Sequence, residues 1–422
     1  MRKDSNSVRR AIVLYQFFPP DDVVSSILFG DLASDLSRND WDVKAYPCNR
    51  SHRGIPERFS PREIWSGVRV RRIWRPNFSQ AGSLGRVFNA VWMLVAWSLL
   101  GCMPWIKANV VVVGTDPILG VLSTIVWKIF KPKTRIVYWC FDLYPEAAVA
   151  GNLIRSGGFL DRILRYLAGR AYRCCDWMVD IGPCMRERLR TYGSSASTQT
   201  IVPWALSEPA EVVPTHLEQR TRLFGNTPLA LLYSGNLGRA HSYDEVFELA
   251  RHLGKRYGTV AFAINPASQS ELRAAMDAHD DNIVLAEPAP LEMLADRLSA
   301  ADVHIVTLRK EWTGMVVPSK FFGALAIGRP VLFCGSSNSS LARWIREHRV
   351  GWVLEPGHSA EIAEELVLLI SDHRELKAMF THCHAVYQKH FSRQAALGQW
   401  HSLLERTVAR KVSPEKIGER IW

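Results

Sequence analysis

The chain has 422 residues, of which 47% are hydrophobic and 22% are charged, and this composition excludes a disordered or fibrous protein. Its length favours two domains over one. The formal net charge of +11 is confined to the first half: residues 1–205 hold 28 Lys and Arg against 16 Asp and Glu, whereas the remainder holds 24 against 25. We therefore expect an anionic partner, a lipid surface or a nucleic acid, for the first half alone.

Short β-branched runs alternate with longer helical patterns along the chain, which is typical of parallel sheets with helices on both faces. In the first half, strands are predicted at 11–17, 43–46, 68–73, 110–113, 135–139, 177–180 and 200–202. In the second half, they are predicted at 229–233, 260–264, 283–285, 303–307, 330–333 and 351–353. The charged segment 207–228, with three prolines, separates the two series. The sequence thus predicts an α/β protein with domains at 1–207 and 208–395, and a helical tail at 396–422 that we expect to cross back to the first domain.

Two features bear on the cell compartment. The eight cysteines include no C-x-x-C pair and stand mostly in apolar runs, which indicates buried thiols in a reducing compartment. Residues 1–10 are polar and basic, and the apolar run after them ends at two prolines without a cleavage-type site. We therefore predict a cytoplasmic protein without a secretory signal.

The segment 87–106 has no charged residue and contains Trp92, Trp97 and Trp105. Its length is that of a transmembrane helix, but a single span would place strands of one sheet on opposite sides of a bilayer. Three interpretations remain: a helix with one face on the sheet and the other in lipid, a core helix, or a true span. We favour the first, with Trp92 and Trp97 in contact with lipid. Residues 159–174 carry four arginines beside an apolar stripe, which suits either anionic headgroups or an ordinary solvated helix face.

In the first half, acidic residues follow two predicted strands. Asp142 and Glu146 come after strand 135–139, and Asp21 and Asp22 lie in the loop after the first strand. Parallel sheets place their working groups at the carboxyl ends of strands, so Asp142 and Glu146 are candidates to orient or deprotonate a substrate hydroxyl. A role as first-turn or capping charges of a helix is the alternative for Glu146 and for the two residues of the first loop.

A glycine-bearing turn follows the first strand of the second half. The turn contains Gly235, Asn236 and Gly238, and Arg239 comes directly after it. Backbone amides in such a turn approach phosphates closely, and the arginine adds a fixed positive charge. The same strand-turn-helix pattern is common in α/β proteins without a ligand there, so both interpretations stay open.

A second glycine-containing loop follows the strand predicted at 303–307. The loop includes Glu311, Gly314, Met315 and Val316, and it leads to Ser319, the expected start of a helix that ends near residue 328. Lys320 stands in the first turn of this helix, where a cation is unfavourable unless an anion is nearby. We interpret Lys320 either as a phosphate ligand or as a solvated lysine. Two such turns on one cleft would form a site for a diphosphate.

Several enzyme signatures are absent from the sequence. It contains no H-E-x-x-H, no Walker lysine motif, no G-x-S-x-G, and no G-x-G-x-x-G after the first strand. The last absence argues against a nicotinamide dehydrogenase. His382 and His384 lie in a predicted helix, where alternate residues do not share a face, so we expect no metal site there.

In their order and spacing these segments resemble the GT-B glycosyltransferases of family 4, particularly bacterial capsule, exopolysaccharide and O-antigen transferases. The resemblance runs over nearly the whole chain. The matching segments are 17–21, 142–146, 201–204, 233–238, 317–320, 328–330 and 351–357. The resemblance implies an α/β fold of the GT-B type, in which two Rossmann-like domains face each other across a cleft.

The resemblance also implies a retaining transferase whose second domain binds a nucleotide-diphosphate sugar, a UDP-sugar in the first instance, with no metal and no other cofactor. Arg239 and Lys320 match the positive positions that contact the phosphates. Three features depart from the family pattern. Val23 and Val24 take the place of the glycine pair that is usual after the first strand. Ser319 takes the place of a second glutamate in the donor loop, and Asp142 stands where the acceptor-side histidine is usual. Acceptor deprotonation is therefore expected to differ from the common scheme.

The resulting hypothesis is a transferase on the inner face of the cell membrane that acts on a lipid-linked or oligosaccharide acceptor. Amides at 235–238 and 314–316 would bind the donor diphosphate, with Arg239 and Lys320 stabilising the leaving phosphate and Asp142 facing the acceptor. A soluble nucleotide-sugar transferase or epimerase is the first alternative. A basic nucleic-acid-binding protein is the second alternative. The spread of the basic residues over many elements argues against it. The sequence specifies no oligomeric state.

Overall fold

The structure is a computed structural model that describes residues 8–52, 58–78 and 83–409. The described chain forms two compact units. Unit 1 contains the residues up to Val202 and those from Leu397 onward, and unit 2 contains Pro203–Ala396. The boundaries predicted from the sequence, at 207/208 and 395/396, lie close to these positions.

Unit 1 is built on an eight-stranded sheet with the order β3-β4-β2-β1-β5-β6-β7-β8. Its strands are β1 (Arg9–Leu14), β2 (Trp41–Ala45), β3 (Arg62–Trp65), β4 (Val68–Arg71), β5 (Val110–Gly114), β6 (Arg135–Trp139), β7 (Trp177–Asp180) and β8 (Ser197–Thr200). All neighbours pair in parallel except β3 and β4. The central strand β5 is buried at every position, which its run of four valines allows because both of its faces are covered.

The helices of unit 1 connect these strands. They are α1 (Val24–Arg38), α2 (Ser83–Cys102), α3 (Ser123–Phe130), α4 (Glu146–Ala150), α5 (Phe159–Cys174) and α6 (Pro183–Arg190). The last helix of the chain, α15 (Arg393–Ala409), returns to this unit. Its Trp400 is fully buried with its ring 4.8 Å from that of Trp139, so the tail is part of the core of unit 1.

Unit 2 has a six-stranded, fully parallel sheet with the order β11-β10-β9-β12-β13-β14. Its strands are β9 (Leu229–Ser234), β10 (Gly258–Ala263), β11 (Ile283–Ala286), β12 (Val303–Leu308), β13 (Val331–Gly335) and β14 (Gly351–Leu354). Its helices are α7 (Leu217–Phe224), α8 (Asp244–Tyr257), α9 (Pro266–Ala275), α10 (Leu294–Ser299), α11 (Lys320–Ala326), α12 (Ser340–His348), α13 (Ser359–Ser371) and α14 (His373–Val386).

In each unit the chain reverses its direction across the sheet at one pair of neighbouring strands. In unit 1 the pair is β1 and β5, and in unit 2 it is β9 and β12. Loops leave such a pair on opposite faces, which opens a crevice at the carboxyl ends of the strands where α/β proteins bind ligands. The predicted loops of the second half follow β9 and β12, whereas those of the first half follow β1 and β6, the latter being the neighbour of β5.

Candidate functional site

The two glycine-containing loops predicted in the second half lie beside each other in unit 2, because they follow the neighbouring strands β9 and β12. Hydrogen bonds from Arg309 help to join them. The amide of Arg309 donates to the carbonyl of Ala240 at 2.8 Å, and the Nε of Arg309 donates to the carbonyl of His241 at 2.7 Å. The turns at Asn236 and Ser319 are therefore parts of one site.

Lys320, the first residue of α11, reaches from one loop to the other. Its Nζ donates to the carbonyl of Asn236 at 3.0 Å and lies 4.8 Å from the centre of the Tyr233 ring. Burial lowers the pKa of Lys320 to about 8. Gly235 is required beside it, since its φ is +115° and a Cβ there would lie 3.1 Å from the Cε of the lysine. The lysine is thus held in place and is not a freely solvated side chain.

In the turn after β9, the carbonyl of Asn236 points toward Lys320 and Tyr233. The oxygen of Asn236 accepts hydrogen bonds from both Lys320 and the hydroxyl of Tyr233, the latter at 2.9 Å. Among the described residues, the amides of Asn236, Leu237 and Gly238 donate to no carbonyl. A row of unbonded amides beside a positioned cation is an arrangement that suits a phosphate group.

Positive charge predominates around this turn. Arg239 and Arg309 are both exposed, and Lys320 lies between the loops. His241 adds no charge at neutral pH, because burial and then the charge of Lys320 lower its pKa to about 4. Glu311 is exposed in a single 3-10 turn, Lys310–Trp312. The site therefore offers cations and amides to an anion.

One predicted donor contact needs correction. The amide of Met315 already donates to the carbonyl of Trp312 at 3.0 Å, and the side chain of Met315 is buried. This amide is therefore not available to a phosphate. Gly314 has a φ of +77°, which turns the loop, and Val316 pairs with Thr313 in an isolated bridge. Ser319 is exposed and precedes α11, and its side chain accepts no capping hydrogen bond from a backbone amide of the helix.

The segment Gly328–Pro330, which resembles a donor-site motif, has a structural role in this chain. Arg329 is fully buried and donates to the carbonyls of Ala301, Ile327, Val213 and Ser299 at 2.9 to 3.1 Å. Its guanidinium also lies 4.1 Å from the centre of the Phe380 ring. Arg329 thus fixes the end of α11 and, through that helix, the position of Lys320.

In unit 1, three carboxylates lie in the loops at the carboxyl ends of adjacent strands. Asp21 follows β1, Asp116 follows β5 and Asp142 follows β6. The sequence prediction included Asp21 and Asp142 but missed Asp116. The same signal was available for Asp116, which comes two residues after the strand of four valines.

Burial is the main cause of the raised pKa values of these three carboxyl groups. It raises the pKa of Asp142 to about 6. Burial and the negative charge of Asp142 raise the pKa of Asp116 to about 7, although Arg75 opposes the shift. Burial also raises the pKa of Asp21, whose Oδ2 accepts a hydrogen bond from the amide of His52 at 2.7 Å. Two carboxyls that titrate near neutrality are suited to accept a proton from a hydroxyl.

Glu146 and Asp22 occupy different environments. Glu146 is the first residue of α4 and is buried, and its Oε1 accepts hydrogen bonds from Arg165 at 2.5 Å and from Tyr192 at 2.6 Å. This is the structural alternative considered for Glu146, namely a paired charge in the first turn of a helix. Asp22 is exposed next to Asp21. The structure thus brings Asp142 together with Asp116 and Asp21, and it places Glu146 in an ion pair inside the fold.

Histidines and cysteines form no metal centre in the described ranges, where no group of three or more His, Cys, Asp or Glu is arranged to hold an ion. His382 and His384 bond to the carbonyls of different residues, His348 at 2.7 Å and Pro209 at 3.1 Å. Of the eight cysteines, all except Cys102 are buried, and none forms a disulfide.

The amino-acid sequence of the chain is similar to that of a bacterial protein. The chain is 25% identical over 264 residues, or 61% of its length, to the probable glycosyltransferase WbjE of Pseudomonas aeruginosa. The match spans 65% of that relative, slightly less than two thirds. No protein-family model matches the chain.

The fold is similar to that of several solved structures. Sucrose-phosphate synthase from Thermosynechococcus elongatus superposes with a TM-score of 0.69 at 16% identity, covering 95% of this chain and 99% of that one. HepE from Anabaena, solved with UDP and glucose, gives 0.64 at 14% identity over 94% and 100% of the two chains. WaaG, a glycosyltransferase involved in lipopolysaccharide biosynthesis, gives 0.60 at 16% identity over 94% and 99%. These similarities confirm the predicted α/β fold of the GT-B type, with two parallel-sheet domains.

Proposed function

We propose that the protein is a glycosyltransferase that transfers a sugar from a nucleotide-diphosphate donor bound at the crevice of unit 2. The observation that carries the proposal is the position of Lys320, held at the carbonyl of Asn236 beside the amides of 236–238. The similarity to the probable glycosyltransferase WbjE supports it. UDP and glucose are bound by HepE, which shares the fold, so a UDP-sugar is the first donor to test.

The chemistry follows from where charge develops. When the bond between the anomeric carbon and the diphosphate oxygen breaks, negative charge grows on the leaving diphosphate. Lys320 and Arg239 stabilise that charge, and the amides of 236–238 donate to the phosphate oxygens. Because these groups supply the neutralisation, the proposal requires no metal.

The acceptor supplies a hydroxyl oxygen, which forms the new bond to the anomeric carbon. The hydroxyl proton passes to a carboxylate of unit 1, and we assign this role to Asp142 with Asp116 beside it. The raised pKa values of both groups make them better proton acceptors than an ordinary aspartate. Retention of the anomeric configuration, which the resemblance to family 4 implies, is part of the proposal. In a single displacement it requires the hydroxyl to attack from the same face that the diphosphate leaves.

The acceptor is proposed to be a lipid-linked saccharide of surface-polysaccharide synthesis, reached by the protein from the cytoplasmic face of the membrane. The basic first half and the exposed apolar helices of unit 1 support this assignment. A soluble transferase or an epimerase with the same fold is the competing assignment, and it requires no contact with lipid.

The nucleotide specificity is tested by thermal-shift measurements with a panel of nucleotides and nucleotide sugars. We expect one family of nucleoside diphosphates and their sugars to raise the melting temperature, because a ligand that binds only the folded state stabilises it. The corresponding monophosphate should give a clearly smaller shift, since it lacks the second phosphate. If no nucleoside diphosphate or nucleotide sugar shifted the melting temperature at millimolar concentration, the proposed function would be wrong.

A further inference from the structure

The helix α2 has one buried and one exposed face. Met93 and Trp97 are fully buried, and the indole Nε1 of Trp97 donates to the carbonyl of Tyr46 at 2.9 Å, which fixes the helix to the end of β2. The opposite face exposes seven large apolar side chains, each by more than 40% of its surface: Leu84, Val87, Phe88, Val91, Trp92, Val95 and Leu99. The expectation that Trp97 contacts lipid is therefore wrong, because Trp97 points to the sheet.

This geometry separates the three interpretations of the segment. Within the described chain, α2 is the one helix long and apolar enough to cross a membrane, and 22% of its most apolar window is buried. A core helix would not expose seven large apolar side chains. A spanning helix would not keep its other face packed on the sheet of unit 1. The remaining interpretation, a helix in the plane of the membrane interface with one face on the sheet and the other in lipid, fits both observations.

Two further helices extend the exposed surface. The indole of Trp127 in α3 donates to the carbonyl of Trp97 in α2 at 2.9 Å, and the hydroxyl of Thr124 in α3 donates to the carbonyl of Ala171 in α5 at 3.4 Å. Therefore α3 lies between α2 and α5 in one layer, which we call the helix layer. Further exposed apolar residues on it are Ile129, Phe130, Phe159, Leu160, Ile163 and Tyr166.

The charges of the helix layer have one sign at its surface. The three helices contain a single acidic residue, Asp161, which is buried and paired with Arg165 at 2.8 Å. Arg86 and Arg162 are exposed on the same helices. An apolar surface with exposed cations complements a bilayer with anionic headgroups. A second copy of the same surface is a poorer partner, because it would bring like charges together.

An aromatic cluster lies at one end of the surface. The rings of Trp74 and Trp92 are 5.1 Å apart, and those of Phe78 and Phe88 are 5.4 Å apart. The indole of Trp92 donates to the carbonyl of Trp74 at 2.6 Å, so this polar group has a partner within the protein. Aromatic residues of this kind are enriched where proteins meet the headgroup region.

We propose that the helix layer docks unit 1 on an anionic phospholipid bilayer, with α2 parallel to the membrane plane. This docking proposal extends the proposed function. It rests on that function because it takes the acceptor to be lipid-linked. It identifies the membrane partner and the residues that meet it. A lipid-linked acceptor would then diffuse to the protein in two dimensions and would not have to leave the bilayer.

The test is co-sedimentation of the purified chain with vesicles of phosphatidylcholine alone or of equal parts phosphatidylcholine and phosphatidylglycerol. We expect binding to the mixed vesicles that weakens at least tenfold in the triple variant Val91→Ser, Val95→Ser, Leu99→Ser. These side chains are half exposed in the folded chain, so the fold should persist. The matched control is Leu217→Ser with Leu368→Ser, two residues of unit 2 that are 73% and 70% exposed.

A charge variant completes the design. Arg162→Glu should weaken binding to the mixed vesicles, whereas Arg273→Glu, an exposed arginine of unit 2, should not. Equal binding of the parent and the triple variant would overturn the inference. Equal binding of the parent to both kinds of vesicle would also overturn it. A third contrary result would be that neither the parent nor the triple variant binds lipid, and that the parent forms dimers which the triple substitution dissociates. Thermal shifts with nucleotides on the same samples separate the two proposals: if nucleotide binding persists without vesicle binding, this inference alone fails.

Discussion

Replacing Lys320 by alanine is expected to lower kcat/KM for sugar transfer by about 100- to 1,000-fold, the range found when one preorganised charge-stabilising donor is removed. The lysine is held at the carbonyl of Asn236, so its ammonium is positioned before the donor binds. Its removal takes away a positive charge where negative charge grows in the transition state. The measurement is steady-state kinetics with the nucleotide sugar that gives the largest thermal shift.

The control is Lys255→Ala, which removes an exposed lysine of the same unit whose partner, Asp281, lies 3.8 Å away at the surface. The Lys255→Ala variant should transfer sugar at the parent rate.

The pH dependence of donor binding provides a second readout. Because the pKa of Lys320 is lowered to about 8, donor binding by the parent should weaken above that pH as the ammonium deprotonates, and the Lys320→Ala variant should lack this dependence. If Lys320→Ala and Arg239→Ala each retained turnover within about threefold of the parent, the assigned roles would have to be abandoned.

Replacing Asp142 by asparagine is expected to lower kcat by about 100-fold or more, the usual contribution of a positioned general base. The carboxylate must be ionised to accept the proton of the acceptor. The parent rate should therefore fall as the pH drops through the range 7 to 6, where Asp116 and then Asp142 become protonated. The rate is measured from pH 5 to 9 at saturating donor, with kcat and KM determined separately.

Two variants make this prediction specific. Asp116→Asn removes the neighbouring carboxyl, so the remaining acid limb should lie near the pKa of Asp142, about 6. Glu187→Gln, at an exposed position of α6, should leave the rate and its pH profile unchanged. An Asp142→Asn variant with parent kcat and an unchanged acid limb would show that another group accepts the proton.

The strands of both units were predictable because of their apolar runs. β6 and β7 have the predicted bounds, and β9 differs by one residue, since most residues of each strand are apolar and buried. The edge strand β3 was missed because its side chains are exposed or half-buried, which leaves no burial pattern to detect. β8 was predicted at 200–202 but lies at Ser197–Thr200, a polar run that pairs at the edge of the sheet.

The candidate site was predictable in its loops but not in its contacts. Glycines after β9 and β12 indicated where the turns lie, and the neighbouring positions of these two strands in the sheet then brought the turns together. Asp116 could have been found by the same strand-end signal as Asp142, but its grouping with Asp21 and Asp142 depends on the strand order β1-β5-β6, which the sequence does not display. The buried face of α2 was not predictable either, because the helix is apolar almost all round, and the exposed and buried tryptophans differ only in the packing.

The most direct test of the central claim is a crystal structure of the chain with its preferred nucleoside diphosphate. We predict that the terminal phosphate lies within hydrogen-bond distance of the Nζ of Lys320 and of the amides at 236–238. A nucleotide bound elsewhere, with Lys320 still donating only to the carbonyl of Asn236, would contradict the account.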